Sequence, residues 1–226
     1  MRKSLIAVAT LAALAAPQFA AAQDSGNWIV RARAVKLNSA NTNDSTLKGT
    51  LDAVTVLANP TAEINDKWIP EVDITYFFTP NFAAELILTY PQKQTLYAVS
   101  NGTRVAAIGE FKHLPPTLTA QYHFTGMGAL RPYVGVGLNY TNISDVHITI
   151  PAAATVAGAD IPLNLKRNSY GLAAQLGADY ALGGGWLLNV DVKKVQIKTD
   201  VLVGAAKVGT FKVDPLLVSL GVGMRF

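Results

Sequence analysis

The residues best able to do chemistry in this 226-residue chain are charged side chains spaced two apart within apolar runs. Arg31 and Arg33, Glu71 and Asp73, and Asp191 and Lys193 form three such pairs; Glu85, Asp179 and Arg225 fall in similar runs. Residues two apart on a β-strand share a face, so each pair projects to one side. Arg31 and Arg33 are expected partners for Glu71, Asp73, Glu85 and Asp191, because a buried charge left unpaired costs several kcal/mol, roughly 3–5. The other chemistries fare worse. His113 and His123 share a face but stand ten residues apart, roughly 30 Å along a strand, and His147 lies in a connection, so metal-ligand spacing is missing. Cysteine is absent, which removes disulfides and thiolate sites. Ser169 and Asp179 sit on a polar strand face with no assignable base beside them, so the nucleophile, base and orienting acid of a hydrolase cannot be assembled. No enzyme, metal or cofactor is expected.

The elements that carry these charges show a two-residue period. In Trp28–Ala34, Trp28, Val30, Ala32 and Ala34 oppose Arg31 and Arg33. Segments 70–78, 82–90, 117–124, 132–140, 170–180, 186–192 and 216–226 repeat the alternation, giving eight amphipathic strands. Thr79-Pro80-Asn81, Gly126-Met127-Gly128-Ala129 and Leu182-Gly183-Gly184-Gly185 read as tight turns. Between them lie four long connections, near 38–67, 91–113, 141–167 and 198–212.

Composition narrows the setting. Charged residues make up 15% of the chain, against roughly a quarter in a soluble domain. Met1-Arg2-Lys3, an apolar run from Leu5 to Ala16 and Ala20-Ala21-Ala22 read as a secretory signal peptide over residues 1–22, cleaved before Gln23. The run is shorter than the roughly 20 residues of a membrane helix, and Pro17 ends it. Removing Arg2 and Lys3 lowers the formal charge from +4 to +2, a bias too small to suggest a nucleic-acid partner. Without a later apolar helix, residues 23–226 can enter a membrane only as a closed barrel, because unpaired backbone groups cannot face lipid.

Alternation alone does not say which face is outside; a soluble eight-stranded barrel puts apolar side chains inside. The aromatics decide. Trp28, Phe78, Phe82, Tyr90, Phe124, Tyr140, Tyr170, Tyr180, Trp186 and Phe226 lie near strand ends on the apolar face, as membrane-boundary girdles do. The expected fold is therefore all-β: an eight-stranded antiparallel transmembrane β-barrel with short periplasmic turns and long extracellular loops, in the bacterial outer membrane.

Several segments then resemble the OmpW family of outer-membrane proteins: His113-Leu114-Pro115-Pro116-Thr117-Leu118, Arg131 to Tyr140, Trp186 to Lys193, and Val213-Asp214-Pro215-Leu216 to Phe226, the last especially similar to the AlkL branch. The similarity covers nearly the whole mature chain in order, and the segments are specific together rather than singly, whereas the long first and third loops match poorly. The resemblance implies a porin-like barrel that admits small hydrophobic molecules, and a terminal Phe226 read by the barrel-assembly machinery.

The residues suggest a route. Eight strands enclose a lumen that side chains can fill, so Arg31, Arg33, Glu71, Asp73, Glu85, Asp191, Lys193 and Arg225 are expected to plug it. Leu51, Val54, Val56, Leu57, Ile148 and Ile150 make the loops unusually apolar and are expected to form a funnel. Pro91, after the third strand, and Leu114-Pro115-Pro116, before the fourth, should interrupt the ladder between them, since proline has no N–H to donate. That break is a candidate lateral gate, unless the prolines merely end their strands and the apolar loop residues pack only against each other; outer-membrane lipids and hydrophobic solutes would be its partners. A structural or adhesive barrel without transport is the alternative.

Overall fold

The computed structural model describes residues 26–226; the expected signal peptide lies outside them. Eight strands form the wall: β1 (Trp28–Asn38), β2 (Lys67–Phe77), β3 (Phe82–Leu88), β4 (Thr117–His123), β5 (Leu130–Ile150), β6 (Asn168–Gly183), β7 (Trp186–Val195) and β8 (Leu216–Arg225). Each pairs antiparallel with its sequence neighbour. The barrel closes where β1 pairs with β8, from Ile29↔Arg225 to Asn38↔Leu216. Phe226 completes the seam: its N–H donates to the Trp28 carbonyl at 3.0 Å, and its own carbonyl accepts from Trp28 at 3.1 Å. Among the described residues the wall therefore closes on itself, and each of its eight strands has a partner on both sides.

The outer wall is apolar. Val134, Val136, Leu138, Leu176, Leu188, Val190, Leu220 and Val222 are all exposed. Aromatic clusters rim this band. On the short-turn side, Trp28, Tyr76 and Phe78 stack in series at 4.7 and 5.1 Å, as do Phe82, Tyr122 and Phe124 at 5.1 Å each. On the other side Tyr140 meets Tyr170 at 5.2 Å. From Tyr170 to Tyr180, strand rise and a tilt of about 40° give roughly 26 Å of height, enough for the lipid-facing band of an outer-membrane barrel. Soluble packing would bury these side chains; here they face out, and Arg31, Asp73 and Glu85 are fully buried inside.

The long connections are not the loops the sequence suggested. β5 runs on to Ile150, and hairpins Gln92–Ser100/Thr103–Leu114 and Lys198–Val203/Ala206–Lys212 continue the wall outward. Thr61–Ile64 and Ile161–Leu165 add to it by pairing with the first hairpin and with β5. The first connection holds helix α1 (Ser45–Val54), where Leu51 was expected in a loop. Asp44 starts the helix: its carboxylate accepts from the Leu47 N–H at 2.7 Å, satisfying a free backbone donor. Leu47 and Leu51, one turn apart, bury the same face. Thr50 fixes the helix across the mouth by donating to the Val208 carbonyl at 2.9 Å.

Candidate functional site

The lumen has three levels. Nearest the short turns, Ile29, Phe77, Ala83 and Leu187 form a small apolar floor. Above it lies the ionic plug. Arg31 grips Asp179 through two hydrogen bonds, of 3.0 and 2.6 Å, and donates to Glu85 at 3.0 Å and Thr75 at 2.6 Å. Arg33 reaches Asp73 at 3.0 Å, Glu85 at 3.2 Å and Glu71 at 3.4 Å. Lys193 pairs closely with Glu71 and stands 3.6 Å from Asp191. Gln121 and Gln175 each donate to the second oxygen of Glu85 at 2.8 Å. These charges are buried from bulk solvent, so charge-assisted hydrogen bonds take over most of their hydration.

Glycines make room for the arginines. In the β1–β8 register Arg31 faces Gly223 and Arg33 faces Gly221. A methyl group on either glycine would come within 2.8 Å of the Arg31 side chain or 2.7 Å of that of Arg33. Arg225, expected in the plug, lies below it at the periplasmic mouth. There its Nε donates to the Gly26 carbonyl at 2.7 Å, and its guanidinium sits 4.5 Å from the centre of the Phe77 ring.

Two plug members stand outside the expected set. Asp179 was read as lumen-facing but takes the strongest grip on Arg31. Tyr133 is fully buried; its hydroxyl donates to Asp191 at 2.9 Å and accepts from Arg33 at 3.1 Å and from Asn189 at 3.0 Å. The signal for Tyr133 was its phase: it alternates with Val134 and shares the inward face with Gly135 and Gly137.

Above the plug the inward face turns apolar: Val35 and Leu37 follow Arg31 and Arg33 on β1. Two cavities lie at this level. The lower, about 20 Å³, is bounded by Leu37, Ile69 and Leu217, by the plug's Glu71 and Lys193, and by Ile87, Thr89, His113, Pro115 and Thr117. The upper, about 30 Å³, is bounded by Leu47 and Leu51 of α1, Leu57, Leu96, Phe111, Ile148 and Ile150. Four of the expected funnel residues (Leu51, Leu57, Ile148 and Ile150) thus meet in one place. Val54 is half-buried against the same cluster. Val56 departs from the expectation: it is 63% exposed, turned outward where the chain leaves α1 for the bridge between Thr55 and Thr155. Each cavity has room for little more than water, so side chains must give way to a larger guest.

The wall changes beside the lower cavity. The β3–β4 ladder stops at Ile87↔Thr117, and pairing resumes only at Gln92↔His113 in the outward hairpin. Pro91 is exposed in this interval, and Leu114, Pro115 and Pro116 are half-buried. The other flank of β4 stays joined: Tyr140 N–H donates to the Pro116 carbonyl at 3.1 Å, and the Asn139 amide reaches the carbonyls of Pro115 and Pro116 at 3.3 and 3.2 Å. The break is one-sided, between β3 and β4.

A model of the OmpW family matches residues 24–226. The chain belongs to the OmpW family. Outer membrane protein W of Vibrio cholerae is 35% identical over 234 residues, covering 100% of both chains. Outer membrane protein AlkL of Ectopseudomonas oleovorans is 30% identical over 173 residues, 75% of this chain and 71% of that one. The solid-state NMR structure of AlkL in DMPC bilayers superposes with a TM-score of 0.63 at 25% identity, covering 94% of this chain and 95% of that one. This OmpW-family chain is an eight-stranded barrel of the bacterial outer membrane, and its apolar wall faces the lipid.

Proposed function

We propose that the barrel is a passive channel that takes small hydrophobic molecules from outside and releases them sideways into the outer membrane. The observation that carries this reading is the adjacency of three features: an apolar chamber, a sealed plug beneath it, and a break in the wall at their junction. A solute entering the chamber from water gains roughly 0.8 kcal/mol per methylene buried. Moving down the axis would require it to separate ion pairs that have no water to fall back on, at a cost of several kcal/mol, roughly 3–5 for each charge stranded. Moving sideways between β3 and β4 costs no such charge separation, and lipid tails hold the solute as well as the chamber does. Entry needs α1 to lift or its leucines to swing. Phe226, at the closing seam, serves as the assembly signal in this reading.

The test is a staple across the break. Thr89 and Pro115 both line the lower cavity, one just past β3 and the other just before β4, and the chain has no cysteine to interfere. Thr89→Cys with Pro115→Cys, oxidised in cells, should abolish uptake of an alkane probe, and reduction should restore it. Uptake undiminished by the closed disulfide rejects the lateral exit. Uptake equal in cells with and without the protein would favour an adhesive or structural barrel.

A further inference from the structure

The apolar chamber contains a band of polar atoms that nothing satisfies. Gln94 is fully buried, and neither its side-chain oxygen nor its nitrogen has a partner. His113 is 3% exposed, and both ring nitrogens are likewise unpaired. Gln92, paired across the hairpin with His113, donates to Thr89 at 3.1 Å and the Tyr90 carbonyl at 2.9 Å, but its own side-chain oxygen accepts nothing. All three alternate inward with Leu96 and Phe111, so the band sits between the upper cavity and the lower one. His113 itself bounds the lower cavity, beside the wall break. Buried polar groups are nearly always bonded, and leaving one unsatisfied is costly. A chamber meant only for hydrocarbon would do better with leucine at these positions.

We propose that this band binds the head of an amphiphilic solute, specifically a hydroxyl group, while the solute's alkyl body occupies the apolar chamber. This assignment rests on the channel reading for its biological meaning, but not for its chemistry. A neutral imidazole carries one donor and one acceptor, and a carboxamide carries both. A hydroxyl, which donates and accepts at once, matches that set; an alkane satisfies none of it. An anionic head is disfavoured by what lies below. The plug's cations, Arg31, Arg33 and Lys193, are already held by Glu71, Asp73, Glu85 and Asp179, so Lys193 at the lower cavity is paired with Glu71 rather than free for a second anion.

The experiment uses the full mature chain in lipid nanodiscs, titrated with 1-octanol, octane and octanoate and followed by NMR of the Gln94 amide and the His113 ring nitrogens. The expected result is that 1-octanol shifts both side chains and binds about tenfold more tightly than octane, about 1.4 kcal/mol, with octanoate weaker than the alcohol. Replacing Gln94→Leu and His113→Phe together should erase the alcohol's advantage while octane binding stays within about twofold, since one neutral hydrogen bond to a previously unsatisfied group is of this size. Equal binding of alcohol and alkane by the unmodified protein, with both side chains unmoved, overturns the assignment and leaves trapped water as their partner; this comparison needs no variant to fold. Octane flux without an alcohol preference overturns the binding site and leaves the channel standing. An alcohol preference in a barrel that passes no solute supports the binding site and overturns the channel.

Discussion

Replacing Arg31 with methionine isolates the energetic role of the plug. Methionine fills similar space but removes the charge and all four hydrogen bonds that Arg31 makes to Asp179, Glu85 and Thr75. The two carboxylates suffer unequally. Glu85 keeps Arg33 at 3.2 Å and the amides of Gln121 and Gln175 at 2.8 Å. Asp179 keeps the Asn189 amide, at 2.8 Å, but loses both bonds to its guanidinium partner, while Arg131 and Arg225 still line the cavity beside it. Breaking a buried pair from one side costs about 3–5 kcal/mol, so Arg31→Met should shift the unfolding equilibrium roughly 100- to 4,000-fold at about 1.4 kcal/mol per decade. Removing the stranded anion as well, in Arg31→Met with Asp179→Leu, should recover most of the loss and leave about 1–3 kcal/mol for the bonds that Glu85 and Thr75 still lack. Reversible unfolding in urea with the protein inserted in lipid vesicles, followed by the fluorescence of Trp28, Trp68 and Trp186, measures both. A single replacement costing under about 1 kcal/mol, or a double costing the sum of its parts, would show that the plug is hydrated and that its charges are not bound to one another.

Two further outcomes follow from the same contacts. Tyr133→Phe keeps the ring but leaves Asp191, Asn189 and Arg33 each without one bond, and should cost about 1–3 kcal/mol in the same unfolding assay. At the helix across the mouth, the bond from the Leu47 N–H holds the Asp44 carboxyl below its ordinary value of 3.8. A depressed carboxyl stabilises the folded form above its unfolded pKa and loses that contribution as pH falls through the folded one. Hydrogen-exchange protection of the Leu47 amide should therefore stay level from neutral pH down to about 5 and drop below about 4, and Asp44→Ala should remove about 1 kcal/mol of local protection at neutral pH.

The eight wall strands were legible because lipid outside and charge inside make the strictest two-residue alternation a strand can carry. Arg31 and Arg33 against Val30 and Ala32 is the clearest instance, and the apolar and charged faces point as the aromatic girdles indicated. Alternation weakens where the inward face becomes apolar, as at Val35 and Leu37, and with it the signal that the strands continue past the membrane. Helix α1 was hidden in a short segment read as apolar loop, although Asp44 ahead of Leu47, Leu51 and Val54 at helical spacing marked it. Phase marked Arg31, Arg33, Glu71, Asp73, Glu85, Asp191 and Lys193 as inward-facing, but not that Arg225 lies below them, nor which partners pair: that Arg31 takes Asp179 rather than Asp73 depends on curvature, which brings together strands distant in sequence. The unsatisfied Gln92, Gln94 and His113 could not be found by pattern, since a polar residue in an outward hairpin ordinarily faces water.

The central claim is that a hydrophobic solute occupies the lumen above the plug and never below it. Paramagnetic relaxation from a nitroxide-bearing alkane, measured on inward-facing methyl groups of the protein in nanodiscs and corrected for the broadening that a nitroxide-bearing phospholipid held in the bilayer causes at the same methyls, reads this directly. Broadening at Leu37, Ile69, Val195 and Leu217, with sharp signals at Ile29, Ala83 and Leu187, is the predicted result. Equal broadening at Ile29, Ala83 and Leu187 would mean that the solute passes straight down the axis.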